Sequence, residues 1–98
     1  MRNLILAPEA LADAREAYAS YELQRPGLGA AFLRSLDARI ALVHRLPEIF
    51  AVEYRNYRRV ALRRFPFAVL YECNRNAVTI YGVFHTSADP ERWRSRVP

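Results

Sequence analysis

The sequence predicts an α+β fold: an N-terminal strand, an antiparallel helix hairpin packed on an antiparallel sheet of three to four strands, and a short C-terminal helix. Three observations predict it. Apolar residues recur at helical three-and-four spacing through the first half, Leu11, Ala14, Tyr18 and Tyr21 and then Phe32, Leu36, Ile40 and Val43. From Tyr57 onward the period falls to two and β-branched and aromatic residues take over. The 98 residues hold one modest hydrophobic core and are too few for two, so a single domain over residues 1–98 is expected.

Asn3 to Ala7 reads as a short strand. Pro8 suits the first turn of a helix, where its missing N–H costs nothing, and Glu9 and Asp13 lie near the positive end of the helix dipole. The stripe runs to about Leu23, and Arg25-Pro26-Gly27 breaks it. A second helix spans about Leu28 to Leu46. Pro47 ends it, and Arg45 sits at its negative end. Two helices joined by so tight a breaker form a hairpin. Strands are expected at Tyr57–Arg63, Phe67–Cys73 and Ala77–His85, with Asn74-Arg75-Asn76 as a hairpin loop. Phe67, Val69 and Tyr71 share one face of their strand, and Val78, Ile80 and Phe84 share one face of the next; both meet the helices. Asp89-Pro90-Glu91 opens a short terminal helix, with Trp93 as its anchor.

The formal charge is +5 and every basic side chain is arginine, for the chain has no lysine. Guanidinium forks match carboxylates and phosphates but stay protonated, so they are poor general bases. The charge is polarised along the chain. Residues 1–24 carry Arg2 and Arg15 against Glu9, Asp13, Glu16 and Glu22, or −2. Residues 51–75 carry Arg55, Arg58, Arg59, Arg63, Arg64 and Arg75 against Glu53 and Glu72, or +4. Because Arg59, Ala61 and Arg63 alternate with Val60 and Leu62, the arginines are expected on a sheet face that the helices leave open. Such a face calls for an acidic partner.

No apolar run approaches a membrane span, and the stretch after Met1-Arg2 is too short for a signal peptide. Cys73 stands alone, so no internal disulfide forms, which fits a reducing cytoplasm. No Cys/His cluster has metal-ligand spacing, and no cofactor motif is present. His44 reads as a solvated or hydrogen-bonded surface residue, and Cys73 as a half-buried strand residue.

The chain resembles the RelE/ParE superfamily of toxins from type II toxin–antitoxin modules, and within it the ParE-like branch. The resemblance is carried by the strand leading into a proline-started helix and by Arg63-Arg64-Phe65-Pro66-Phe67-Ala68-Val69-Leu70-Tyr71-Glu72. It continues through Val78-Thr79-Ile80-Tyr81-Gly82-Val83-Phe84-His85 and Asp89-Pro90-Glu91-Arg92-Trp93. It implies a cytoplasmic toxin of a plasmid-stabilisation module, paired as a hetero-oligomer with a small acidic antitoxin. Two targets follow from the two branches: DNA gyrase for ParE, or messenger RNA on the ribosome for RelE.

Ribonuclease chemistry needs an acid–base pair and cations for the phosphorane charge, with positioned acid–base groups worth roughly 10²–10⁴-fold in rate. RelE-like nucleases resemble this chain at Ala68-Val69-Leu70-Tyr71 but carry an arginine where Ala68 stands, and their catalytic lysines have no counterpart here. His85, Arg63 and Arg64 are the surviving catalytic candidates, with His85 also readable as a structural strand-end residue. Arg58, Arg59, Arg63, Arg64 and His85 are the candidate target- or antitoxin-binding residues. The plain alternative is a solvated sheet edge guarded by its charges, but six arginines within residues 51–75 are too many for that alone. Three functions therefore stand: a gyrase-directed toxin, a ribosome-dependent endoribonuclease, and a non-toxic basic module that binds nucleic acid.

Overall fold

The computed structural model describes residues 1–97. Its elements are β1 (Asn3–Leu6), α1 (Pro8–Gln24), α2 (Leu28–Arg45), β2 (Val52–Tyr54), β3 (Tyr57–Ala61), β4 (Phe67–Cys73), β5 (Ala77–His85) and α3 (Pro90–Arg94). The sheet has five strands in the order β1-β5-β4-β3-β2. Every neighbouring pair is antiparallel except β1 with β5, which run parallel. The α+β architecture is the expected one. The extra strand, β2, is three residues long and pairs with β3 through the two-residue turn Arg55-Asn56, too short to carry a period of its own.

Local chemistry accounts for the element ends. Pro8 opens α1 as expected. Asp89 caps α3 by accepting from the Glu91 amide at 3.0 Å. Asn74 Oδ1 accepts from the amides of Asn76 and Ala77 at 2.8 and 2.9 Å, closing the β4–β5 turn with a side chain in place of a backbone carbonyl. The start of α2 has no cap of its own: Gly27 precedes it at φ 90°, a left-handed conformation that glycine adopts without strain. Glu22 of α1 supplies the missing acceptor, its carboxylate taking the amides of Gly27 and Gly29 at 2.9 to 3.1 Å.

The main core lies between the helix hairpin and one sheet face. Phe32, Leu36 and Val43 of α2 meet Val60, Val69, Tyr71, Val78 and Ile80 there. Each such side chain taken from water stabilises the fold by roughly 1.5–3 kcal/mol. The face that α1 buries differs from the expected stripe. Ala10 and Ala17 are buried and Ala14 and Tyr21 pack beside them, while Leu11 and Tyr18 are largely exposed. Small residues win the inner face because the hairpin is tight: a Cβ on Gly29 would stand 2.8 Å from the Tyr18 backbone oxygen.

Two expectations about the sheet need correction. Phe84 does not share a face with Val78 and Ile80. The β4–β5 register steps from Leu70 opposite Gly82 to Tyr71 opposite Ile80, so Tyr81 is an extra residue in β5. This bulge reverses the alternation beyond it, sending Val83 to the helix side and Phe84 to the other. Nor is that other face open. A second cluster, Tyr57, Leu70, Phe84, Trp93 and Val97, is buried on it under α3 and the segment that follows.

Candidate functional site

The arginines expected on one open sheet face are dispersed to three places. Arg58 is turned toward the α2–β2 connection, where its guanidinium donates to the backbone oxygens of Phe50 at 2.5 Å and Glu48 at 3.2 Å. It is a structural brace. Arg59, on the opposite face as predicted, forms a two-pronged pair with Glu53 at 2.9 and 3.0 Å and lies 5.3 Å over the Trp93 ring. The guanidinium's hydrogen bond holds the Glu53 carboxyl below its ordinary range, and the same bond raises Arg59. Arg63 and Arg64 lie beyond the end of β3, which stops at Ala61, in an exposed bend. Alternation along a strand predicts faces only while the strand continues and its neighbours leave that face bare, and neither condition holds here.

That bend is where basic residues do gather. Arg25, Arg34, Arg39, Arg45, Arg63 and Arg64 line one surface groove of about 720 Å³ along the outer side of α2. No acidic residue lines it. The bend is pinned to the helix by two hydrogen bonds: Ser35 Oγ donates to the Arg63 carbonyl at 2.6 Å, and Arg39 Nε donates to the Ala61 carbonyl at 2.9 Å. Arg64 sits at φ 74°, in the left-handed region that costs a non-glycine residue on the order of 1 kcal/mol. Arg34 and Arg39 give no signal in the sequence because they lie among helix residues, and Arg45 is legible only as a charge at the helix end, whereas the bend residues are legible as a pair.

His85 ends β5, exposed, and lines a second and smaller depression of about 210 Å³ with Asp13, Glu16 and Arg92. Its Nδ1 accepts from the Ser87 amide at 3.1 Å and lies 2.7 Å from Ser87 Oγ. The backbone donor makes Nδ1 an acceptor and leaves the neutral ring's proton on Nε2. Its ring packs edge-on against Phe67, 5.2 Å between centroids. Thus His85 organises the turn after β5 and lines a different depression from Arg63 and Arg64. Ala68 is buried, 2% exposed. His44 is hydrogen-bonded, its Nε2 lying 2.6 Å from the Arg2 carbonyl oxygen. Cys73 is half-buried in β4.

Asp13, by sequence only a charge near the positive end of the α1 dipole, does more in the structure. It accepts from the Val83 amide at 2.9 Å and from Arg96 at 3.0 and 3.3 Å, tying α1, β5 and the C-terminal segment together. No helix among the described residues is long and apolar enough to cross a membrane.

The sequence profile described as "ParE toxin of type II toxin-antitoxin system, parDE" matches residues 4–90, from within β1 to the first residue of α3. The chain belongs to the ParE toxin family. A solved structure titled "Chromosomal ParDE TA system from P. aeruginosa" superposes on it with a TM-score of 0.66 at 19% identity, over 87% of this chain and 96% of that one. At that identity the likeness speaks for the fold. No curated protein sequence matches the chain. As a ParE-family toxin, the chain is one half of a type II toxin–antitoxin system, and it places an arginine-lined groove on the outer face of its second helix.

Proposed function

We propose that this ParE-family chain arrests growth by binding a macromolecular target, with DNA gyrase as that target, and that a cognate antitoxin holds it inactive in a cytoplasmic hetero-oligomer. Binding is favoured over RNA cleavage by one observation. The groups that could serve a ribonuclease line different depressions: Arg63 and Arg64 the α2 groove, His85 the one beside Asp13. The His85 Nδ1 is engaged with Ser87, and the position that resembles the nuclease arginine is the buried Ala68. Ribonuclease chemistry asks for its cations and its acid–base group in one site.

The test is induced expression of the chain alone, followed by assays with purified protein. Growth arrest with intact transcripts, and loss of gyrase supercoiling in vitro, is the expected result. Cleaved messenger RNA that disappears in a His85→Ala variant would establish the ribonuclease instead. Binding to duplex nucleic acid without growth arrest, with log affinity falling by up to about 0.9 per phosphate contact on a log salt axis, would leave a basic nucleic-acid-binding module.

A further inference from the structure

At one corner of the sheet face turned away from the helix hairpin, guanidinium groups and aromatic rings stack on one another. Tyr54 of β2 meets Trp93 of α3 edge-on, with 5.8 Å between centroids and 84° between planes. Arg94 lies over both rings, 5.1 Å from the Tyr54 centroid and 5.3 Å from that of Trp93. Arg55 lies 5.0 Å over Tyr54, and Arg59 covers Trp93 while it pairs with Glu53. The corner joins two distant stretches of chain, the β2–β3 turn that holds Arg55 and the helix that Trp93 anchors in the second core cluster. Arg55 and Arg94 are exposed and Tyr54 is half-buried. None of these side chains lines the α2 groove or the depression beside His85.

We propose that this corner is the surface with which the chain grips its protein target, through carboxylates of the target set against Arg55 and Arg94. The assignment rests on the toxin reading above. A guanidinium stacked flat on a ring keeps its N–H edge turned outward for a two-pronged bond to a carboxylate. The stack also holds the side chain in place beforehand, so binding costs less rotamer freedom. Arginine, tyrosine and tryptophan are the residues that dominate the energetics of protein interfaces. Charge selects an acidic partner, for three guanidinium groups gather here around the single carboxylate of Glu53. A nucleic acid fits less well. Tyr54 already carries two guanidinium groups and Trp93 is buried, so neither ring is left for a base to stack on. Glu53 in the corner and Glu72 further along the face, which accepts from the Tyr81 hydroxyl at 3.3 Å, interrupt the positive charge that a phosphate backbone would follow.

The test uses the full-length chain, purified DNA gyrase and the cognate antitoxin. Reversing Arg55 and Arg94 together to Glu should raise the concentration that halves gyrase supercoiling by at least about tenfold, and should abolish growth arrest at equal expression. Arg94→Gln alone, a milder change, should raise that concentration by at least about threefold. The same charge reversal at Arg15 and Arg75, exposed and outside the corner, should alter it by less than about twofold. Antitoxin affinity and the urea midpoint should stay close to those of the wild type in all three, which separates a lost contact from a lost fold. Four outcomes overturn the proposal: undiminished gyrase inhibition by the corner variants, an equal loss in the Arg15 and Arg75 variant, antitoxin binding lost in step with inhibition, or wild-type binding of RNA that the corner reversal removes. The two readings separate in cells. If the wild type arrests growth without affecting gyrase and the corner reversal abolishes the arrest, the gyrase reading fails and the surface stands. If the wild type and the corner variants stop gyrase alike, the surface fails and the gyrase reading stands.

Discussion

Asp13 carries more of this molecule than its place on a helix surface suggests. Its carboxylate accepts one backbone amide of β5 and both prongs of Arg96, and both side chains of the pair are mostly shielded, 18% and 25% exposed. A charge-assisted hydrogen bond of this kind is about twice as strong as a neutral one, and removing the acceptor strands the Val83 amide and leaves Arg96 only the Tyr81 carbonyl at 3.3 Å. Asp13→Ala should therefore lower the unfolding free energy by about 2–3 kcal/mol, measured from the urea midpoint with an unchanged slope. Arg96→Ala should cost less, because the Val83 amide keeps its acceptor. In the sequence Asp13 is legible only as a favourable charge near a helix N-terminus. Its partners are 70 and 83 residues away, and nothing in local spacing announces them. His85 is the opposite case: its strand-end position and its role as a hydrogen-bonded residue follow from its neighbours, and both were readable.

At the scale of elements, the helix hairpin is held by a close crossing and a borrowed cap. Glycine at position 29 lets α2 lie against the Tyr18 backbone, and an added methyl would meet both the Tyr18 ring and its carbonyl oxygen at 2.8 Å. The ring can turn aside but the backbone cannot. Gly29→Ala should thus destabilise the protein by about 1–3 kcal/mol despite alanine's better helix propensity, again read from the urea midpoint. Ala12→Gly, on the exposed side of α1, should lose only the propensity difference of about 1 kcal/mol. Helices, breakers and most strand cores were visible in the periodicity. The bulge at Tyr81 was not, because an extra residue breaks a two-residue period without altering composition. The inner face of α1 was misread for a related reason. Periodicity marks the largest apolar residues, whereas a tight crossing selects the smallest.

Across the whole molecule, burial shapes the response to alkali. The phenols of Tyr21, Tyr57, Tyr71 and Tyr81 are all raised, in each case chiefly by desolvation, and Tyr71 is pushed up to about 12 from an ordinary 10.0. Above pH 10 the unfolded chain gives up phenolic protons that the folded chain still holds, so each rise in pH favours unfolding until the folded pKa is reached. Stability should fall between pH 10 and about 12, with Tyr71 alone contributing on the order of 2 kcal/mol. Urea midpoints taken across that range check it. Tyr71→Phe should show a shallower fall from a plateau lower by about 1 kcal/mol, since the Tyr71 hydroxyl donates to the Pro47 carbonyl at 2.7 Å. A fall of equal steepness in that variant would place the effect elsewhere.

The sequence by itself determined the fold class, the order of the helices and all but the shortest strand, the first-turn proline of α1 and the Asp89 cap, and the family resemblance that the profile match bears out. These are local properties, written in spacing and turn chemistry within a few residues of one another. Tertiary structure alone decided where the arginines go. Arg58 was drawn in as a brace, Arg59 was stacked on Trp93, and Arg63 and Arg64 were brought beside four arginines from α2 and its approach. Charge along a chain has a sign and a density, but only packing gives it a direction, because a surface is formed by residues that the core has brought together and left outside.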